Sequence, residues 1–242
     1  MAGHSKWSNI QHRKKAQDAK RGKSFTKFIR EIVVAAREGG PDKTANPRLR
    51  LAIDKALQGN MTKDTINKAI QRGCGNNDSD NYQSITYEGY GPYGVAILVK
   101  CLSDNRNRTV GEVRHAFNKY QGNLGTEGSV AFMFEEKGRI IVKAVDDFEK
   151  LFERSLELGA DDIVKETDHV FISTPVSEYE IVYASLKKEG YAISEAEITM
   201  IPDTFVECGE TDSEVIFKLI DALEELDDVQ SVFVNAKFPK AQ

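Results

Sequence analysis

The chain has 242 residues, 40% of them hydrophobic and 29% charged, which predicts a folded protein of two or three domains and excludes a disordered one. No apolar run approaches the roughly 20 residues that span a bilayer, the opening MAGHSKWSNIQHRKKAQ has no apolar core of a secretory signal, and Cys74, Cys101 and Cys208 are too scattered for a disulfide framework, so a cytoplasmic location is expected. The net charge of −5 hides a strong asymmetry: residues 1–75 hold 17 Lys/Arg against six acids, and the remainder holds 16 against 32, a segregation that implies a basic face for a polyanion.

From Lys6 to Arg30 the chain is basic, and its large apolar residues are Trp7, Ile10, Phe25, Phe28 and Ile29. The part before Gly22 buries too little surface to form a core and reads as a mobile arm or frayed helix. A first helix is predicted over 24–38, with Phe25, Phe28, Ile29, Ile32 and Val33 at helical spacing and a stop at Gly39-Gly40-Pro41. A second opens at the cap-and-proline pair Asn46-Pro47 and runs to 58, and a third spans 62–73. After the linker-like Gly75-Asn76-Asn77-Asp78 come strands over 84–88 and 95–102, a helix over 109–120 and a strand over 129–134. From Gly138 the order is strand 139–143, helix 147–158, strands 163–165 and 170–174, helix 177–189 and strand 192–199. That is β-α-β-β-α-β, a ferredoxin-like unit. Strand 204–208, helix 213–226 and strand 231–235 remain.

These last elements are too few for a domain, as are those of 82–135, and together they complete one sheet-plus-helix layer. The expected fold class is therefore α+β: an N-terminal three-helix domain plus two α+β domains, one ferredoxin-like and inserted into the other. The expected domains are 1–75, a discontinuous middle domain of 76–136 and 201–242, and an insert of 137–200. Two consecutive α+β domains are the alternative.

Several motifs mimic catalytic chemistry. Gly89-Tyr90-Gly91-Pro92-Tyr93-Gly94 matches the dinucleotide fingerprint, but a strand follows where a helix N-terminus is required, so it reads as a hairpin loop. Gly22-Lys23-Ser24 lacks the upstream glycine of a phosphate loop, because Gln17 stands there. His4, His12, His115 and His169 show no metal-ligand spacing, and the carboxylates around Asp221–Asp228 read as a solvated helix face. No nucleophile elbow is present. No enzyme, cofactor or metal site is expected.

The basic arm carries the binding chemistry. Lys6, Arg13, Lys14, Lys15, Lys20, Arg21, Lys23, Lys27 and Arg30 recur at close spacing opposed by Asp18 alone, as phosphate neutralisation requires. Trp7 and His12 are candidates to stack on bases. Asn105, Arg106, Asn107 and Arg108 sit where a strand turns into a helix, a place that favours phosphate, although a plain capping turn explains them equally well.

MAGHSKWSNIQHRK, RGKSFTKFIREI, NPRLRLAIDKA, NMTKDTINKAI, YEGYGP, DNRNRTV, NLGTEGSV and LEELDDVQSVF together resemble the YebC family, essentially end to end. Its members are described as probable transcriptional regulators, and its mitochondrial relatives as translational activators. The resemblance implies a helical N-terminal domain and two α+β domains, one inserted in the other. Tyr93 and Gln121 stand where a smaller residue, commonly glycine, is usual in the family. Sequence-specific duplex reading needs side chains presented to base edges, and no helix-turn-helix recognition helix is evident. Two partners stay open: DNA for a transcriptional regulator, or ribosomal RNA and the ribosome for a translation factor. A protein partner bound through the acidic C-terminal domains is a third. No membrane partner is expected.

Overall fold

The computed structural model describes residues 21–75, 82–143 and 145–239. In chain order its elements are α1 (Arg21–Gly39), α2 (Pro47–Gln58), α3 (Lys63–Cys74), β1 (Gln83–Tyr90), β2 (Ala96–Ser103), α4 (Arg106–Lys119), β3 (Asn123–Leu124) and β4 (Phe134–Lys143). There follow α5 (Phe148–Glu157), β5 (Asp162–Lys165), β6 (His169–Pro175), α6 (Tyr179–Lys188), β7 (Ile193–Pro202), β8 (Val206–Glu207), α7 (Glu210–Glu224) and β9 (Val229–Val234). The chain clusters into two units, one holding the described residues up to Ala131 together with Cys208–Ala236, the other holding Phe132–Glu207 with the C-terminal end.

Capping chemistry sets the N-terminal helices. Asn46 accepts from the Leu49 amide at 3.0 Å to start α2, and its side-chain amide donates to the carbonyls of Ala35 at 2.7 Å and Gly40 at 2.9 Å. Buried at 4% exposure, it ties the end of α1 to the start of α2. Thr62 caps α3 in the same way. A Cβ on Gly73 would lie 2.4 Å from the Val33 carbonyl oxygen, so α1 and α3 approach as closely as they do only because this residue has no side chain. Ile32, Val33, Leu49, Ala56, Met61 and Ile66 close the core between the three helices.

In the same unit, a four-stranded antiparallel sheet has the order β3-β1-β2-β9. Strand β2 is flanked on both edges and packed on both faces, and seven of its eight residues are buried. Its neighbour β9 arrives from far down the chain, pairing Ile97 with Val234 and Val99 with Val232. Helix α7 buries Ile216, Leu219, Ile220 and Leu223. The segment Gly89–Gly94 holds the end of β1 and the turn into the antiparallel strand β2, as its hairpin reading requires. Tyr93 and Gln121 adopt φ of 62° and 61°, a left-handed conformation that costs a non-glycine residue roughly 1–2 kcal/mol. A glycine is therefore the unstrained choice at both positions.

Two expectations need correcting. The strand predicted over 129–134 does not form: residues up to 130 are irregular, a 3-10 turn spans Ala131–Met133, and the strand begins at Phe134 and runs to Lys143. The amides of Gly128, Val130 and Ala131, which a ladder would need, are taken by the Glu88 carboxylate at 2.8, 2.8 and 2.7 Å. Helix α4 begins at Arg106 rather than 109, because Asn105 accepts from the Arg108 amide at 3.1 Å and caps it.

In the unit around Phe132–Glu207, β4, α5, β5, β6, α6 and β7 form an antiparallel sheet of order β5-β6-β4-β7, the ferredoxin-like arrangement. A Cβ on Gly138 would meet Thr174 Oγ1 at 2.4 Å and the Tyr179 ring at 2.5 Å, so α6 beds directly onto the centre of β4. Ile140, Val142, Leu151, Ile172, Val182 and Leu186 are fully buried there.

Candidate nucleic-acid interface

Lys6, Trp7, His12, Arg13, Lys14, Lys15 and Lys20 lie outside the described residues. The backbone of Arg21 and Lys23 is helical, and their side chains are outside the described set. Lys27 and Arg30, one turn apart on α1, do not project into solvent. Lys27 Nζ donates to the Glu224 carbonyl at 2.7 Å, and Arg30 donates to the Asp227 carbonyl and to Asp228 Oδ1 at 2.8 Å. The last turn of α7 contains no basic residue of its own. The two cations of α1 therefore satisfy carbonyls at and just beyond the negative end of the α7 dipole. Arg30 also lies 5.3 Å from the centre of the Tyr82 ring.

Asp228 gathers the second candidate cluster as well. Its carboxylate, 1% exposed, accepts from Arg108 Nη2 at 2.7 Å, Thr109 Oγ1 at 2.7 Å and Ser103 Oγ at 3.0 Å. Burial disfavours its charge, but hydrogen bonds from Thr109, Arg108 and Ser103 outweigh that and hold its pKa below the usual carboxylate range. The Arg108 guanidinium, bonded to Asp228 and to Asp104 at 2.8 Å, is pushed upward in turn. One carboxylate thus joins the end of β2, the start of α4 and helix α1. Arg106, Asn107 and Asn105 are exposed, as is Arg108 outside its ion pairs, and the Asn105 side chain is occupied by its capping bond.

Beside this hub is an open cleft of about 470 Å³ whose walls include Asp104, Glu112, Glu225 and Asp227 as well as Arg30, Arg108 and Asp228. Five carboxylates against two guanidinium groups disfavour a phosphate there. Helix α4 carries further exposed cations in Arg106, Arg114 and Lys119. The last two escaped sequence reading, since isolated basic residues on a helix carry no motif. The useful signal was the absence of acids three or four residues away within that helix: Val110, Gly111, Phe117 and Asn118 surround Arg114, and His115 and Ala116 precede Lys119.

The glycine-bearing segment after β3 is a shaped loop. Besides its three bonds to Glu88, Gly125 N donates to the Glu88 carbonyl at 2.8 Å and the Tyr90 hydroxyl donates to the Ser129 carbonyl at 3.0 Å. Burial raises the Glu88 pKa, but the amides of Gly128, Val130 and Ala131 prevail and keep it low. Among the described residues, Cys74, Cys101 and Cys208 form no disulfide, and no helix is long and apolar enough to cross a membrane.

Comparison with known proteins covers the whole arrangement. Residues 5–76 match the family described as TACO1/YebC protein N-terminal domain, and residues 82–236 match TACO1/YebC second and third domain. The transcriptional regulatory protein PmpR of Pseudomonas aeruginosa is 55% identical over 240 residues, covering 99% of this chain and 97% of the relative. A probable transcriptional regulatory protein of Alcanivorax borkumensis is 55% identical over 244 residues, covering 100% and 99%. The crystal structure of a conserved hypothetical protein from Aquifex aeolicus is similar with a TM-score of 0.81 at 45% identity, covering 93% of each chain.

Proposed function

Because the chain belongs to the TACO1/YebC family, we propose that it is a non-enzymatic, cytoplasmic, nucleic-acid-binding regulator of gene expression, acting on DNA as a transcriptional regulator. The observation that carries this reading is the charge segregation: 17 Lys/Arg against six acids in residues 1–75 of a chain whose net charge is −5. Such a segment supplies affinity by displacing counterions from phosphates. Lys6, Arg13, Lys14, Lys15, Lys20, Arg21 and Lys23 make those contacts, with Trp7 and His12 stacking on bases. Lys27 and Arg30 join them when released from α7 and Asp228. Arg106 and Asn107 form a separate contact at the start of α4, on a turn held by the Asn105 cap and the Arg108–Asp228 pair. The inserted arrangement of 137–200 within a middle domain of 76–136 and 201–242 leaves the acidic parts as a scaffold or as a surface for a protein partner.

A second reading, an RNA- or ribosome-bound translation factor, is favoured by one observation. Arg108, a candidate base reader at the start of α4, is bound to a buried carboxylate, so the accessible cations outnumber side chains placed to read base edges.

The test is a salt titration of full-length protein against duplex DNA and structured RNA. If about six phosphates are neutralised, affinity falls on the order of a thousandfold between roughly 50 and 200 mM salt, and deleting residues 1–23 flattens the slope. A slope unchanged by the deletion removes the arm from the interface, and no binding to either polymer removes the function. Crosslinking in cells with parallel sequencing of DNA and RNA separates the readings: discrete promoter sites favour transcription, and ribosomal RNA favours translation.

A further inference from the structure

We infer that the outer face of helix α4 is a second docking surface for a polynucleotide phosphate backbone, centred on Asn107, Gly111, Arg114 and Asn118. The inference rests on the proposed nucleic-acid function and extends it to residues of the acidic part of the chain. At 100° per residue the four positions fall within about 60° of helix surface, opposite the buried Thr109, Val113, Ala116 and Phe117, and they extend along about 16 Å of axis. All four are exposed, and the exposed His115 lies beside Gly111 at the stripe's edge. This stripe holds no carboxylate, although beyond residue 75 acids outnumber basic residues 32 to 16. The one acid of the helix, Glu112, is turned toward the cleft beside Asp228.

Gly111 is the decisive residue. Glycine inside a helix is the least stabilising choice after proline, so it needs a reason. Gly73 in α3 has one, since a Cβ there would strike the Val33 carbonyl oxygen at 2.4 Å. A Cβ on Gly111 would meet nothing within 4 Å, and its φ is not in the left-handed region. Neither packing nor backbone geometry asks for glycine at 111. A bare backbone in the middle of an exposed Asn/Arg/Asn ladder permits close approach by a partner, and phosphate complements the Arg114 guanidinium, which makes no ion pair or side-chain hydrogen bond within the described residues.

The experiment compares full-length wild type with Gly111→Ala, Arg114→Ala and Asn118→Ala, using a labelled single-stranded RNA and a labelled duplex DNA across a salt series, with thermal unfolding in parallel. Gly111→Ala is expected to raise Tm by about 2–4 °C yet weaken binding several-fold, two effects of opposite sign that a merely structural role does not produce. Arg114→Ala is expected to lower the slope of log affinity against log salt by about 0.7–0.9 with Tm unchanged. A larger loss on one polymer identifies which backbone α4 holds. Wild-type binding that all three variants retain in full overturns the α4 surface and leaves the arm as the contact. Failure of wild type to bind either polymer overturns the function itself, and this inference with it.

Discussion

Arg30 and Asp228, 198 residues apart in sequence, meet at 2.8 Å in a site where the carboxylate is 1% exposed. This contact holds α1 against the α7–β9 turn, and its cation belongs to the segment assigned to phosphate binding. A double-mutant cycle measures it. Asp228→Ala leaves Arg30 and Arg108 without their shared counter-charge and is expected to cost about 3–5 kcal/mol in urea unfolding. Arg30→Ala leaves Asp228 its bonds to Arg108, Ser103 and Thr109 and is expected to cost about 1–2 kcal/mol. The pair is expected to couple by about 1–3 kcal/mol, and strictly additive losses would show that the two side chains do not support each other.

The same carboxylate makes stability depend on pH. Hydrogen bonding depresses the folded Asp228 pKa below its ordinary 3.8, against the opposing effect of burial. The folded state therefore binds this proton less readily than the unfolded chain. Its stabilisation is complete above 3.8 and is lost as pH falls through the lower folded value. Glu88 adds a loss of the same sign below its ordinary 4.5. Acid unfolding curves of wild type and Asp228→Asn are expected to converge as pH drops below that range. Parallel curves down to complete unfolding would contradict a depressed Asp228.

Glu88 also shapes the loop after β3. Removing its carboxylate by Glu88→Ala strands three backbone amides and is expected to cost about 3 kcal/mol or more. Hydrogen exchange of Gly128, Val130 and Ala131 is expected to accelerate well beyond that of β2. Unchanged protection at those amides would show that the loop holds its own shape.

Features set by neighbouring residues were legible in the sequence. Asn46 before Pro47 and Thr62 before α3 announce their helices because a cap acts over three residues. The β-α-β-β-α-β order was legible because each element carries its own periodicity. Residues 129–134 read as a strand, being mostly apolar, until Glu88, 42 and 43 residues upstream, takes the Val130 and Ala131 amides. Asp228 was read as one more solvated acid because its partners Ser103 and Arg108 stand 125 and 120 residues away. No local pattern encodes such a meeting, and it converts Arg108 from a solvent-facing candidate into a bound one.

The strand pairing predicts how the chain divides. Strand β2 is bordered by β1 on one side and by β9 on the other, so residues 82–131 lack one edge of their sheet and the α7 helix without 208–236. The segment Phe132–Glu207 contains all four strands and both helices of its own layer. Expressed alone, 132–207 is expected to unfold cooperatively and 82–131 to stay unfolded. Well-dispersed amide NMR signals from isolated 82–131 would restore consecutive domains.

Arg106 and Arg108, two residues apart in one motif, are expected to fail differently when removed. Arg108 donates to Asp228 at 2.7 Å and to Asp104 at 2.8 Å, so its charge is already spent within the fold. Arg108→Ala leaves a buried carboxylate with one charged partner fewer and is expected to cost about 1.5–3 kcal/mol of stability. Its effect on nucleic-acid affinity is expected to vanish once measured at a temperature where the variant is fully folded. Arg106 is exposed, and its backbone carbonyl accepts from the Tyr87 hydroxyl at 3.4 Å. Arg106→Ala is expected to change stability by less than about 0.5 kcal/mol, as exposed substitutions do, while lowering the salt slope of binding by about one. Urea titration and salt-dependent binding on the same two proteins separate the roles. An Arg108→Ala protein of wild-type stability with a reduced salt slope would mean that Arg108 exchanges Asp228 for phosphate in the bound state. In that case the buried carboxylate is a placeholder for the ligand and not a permanent partner.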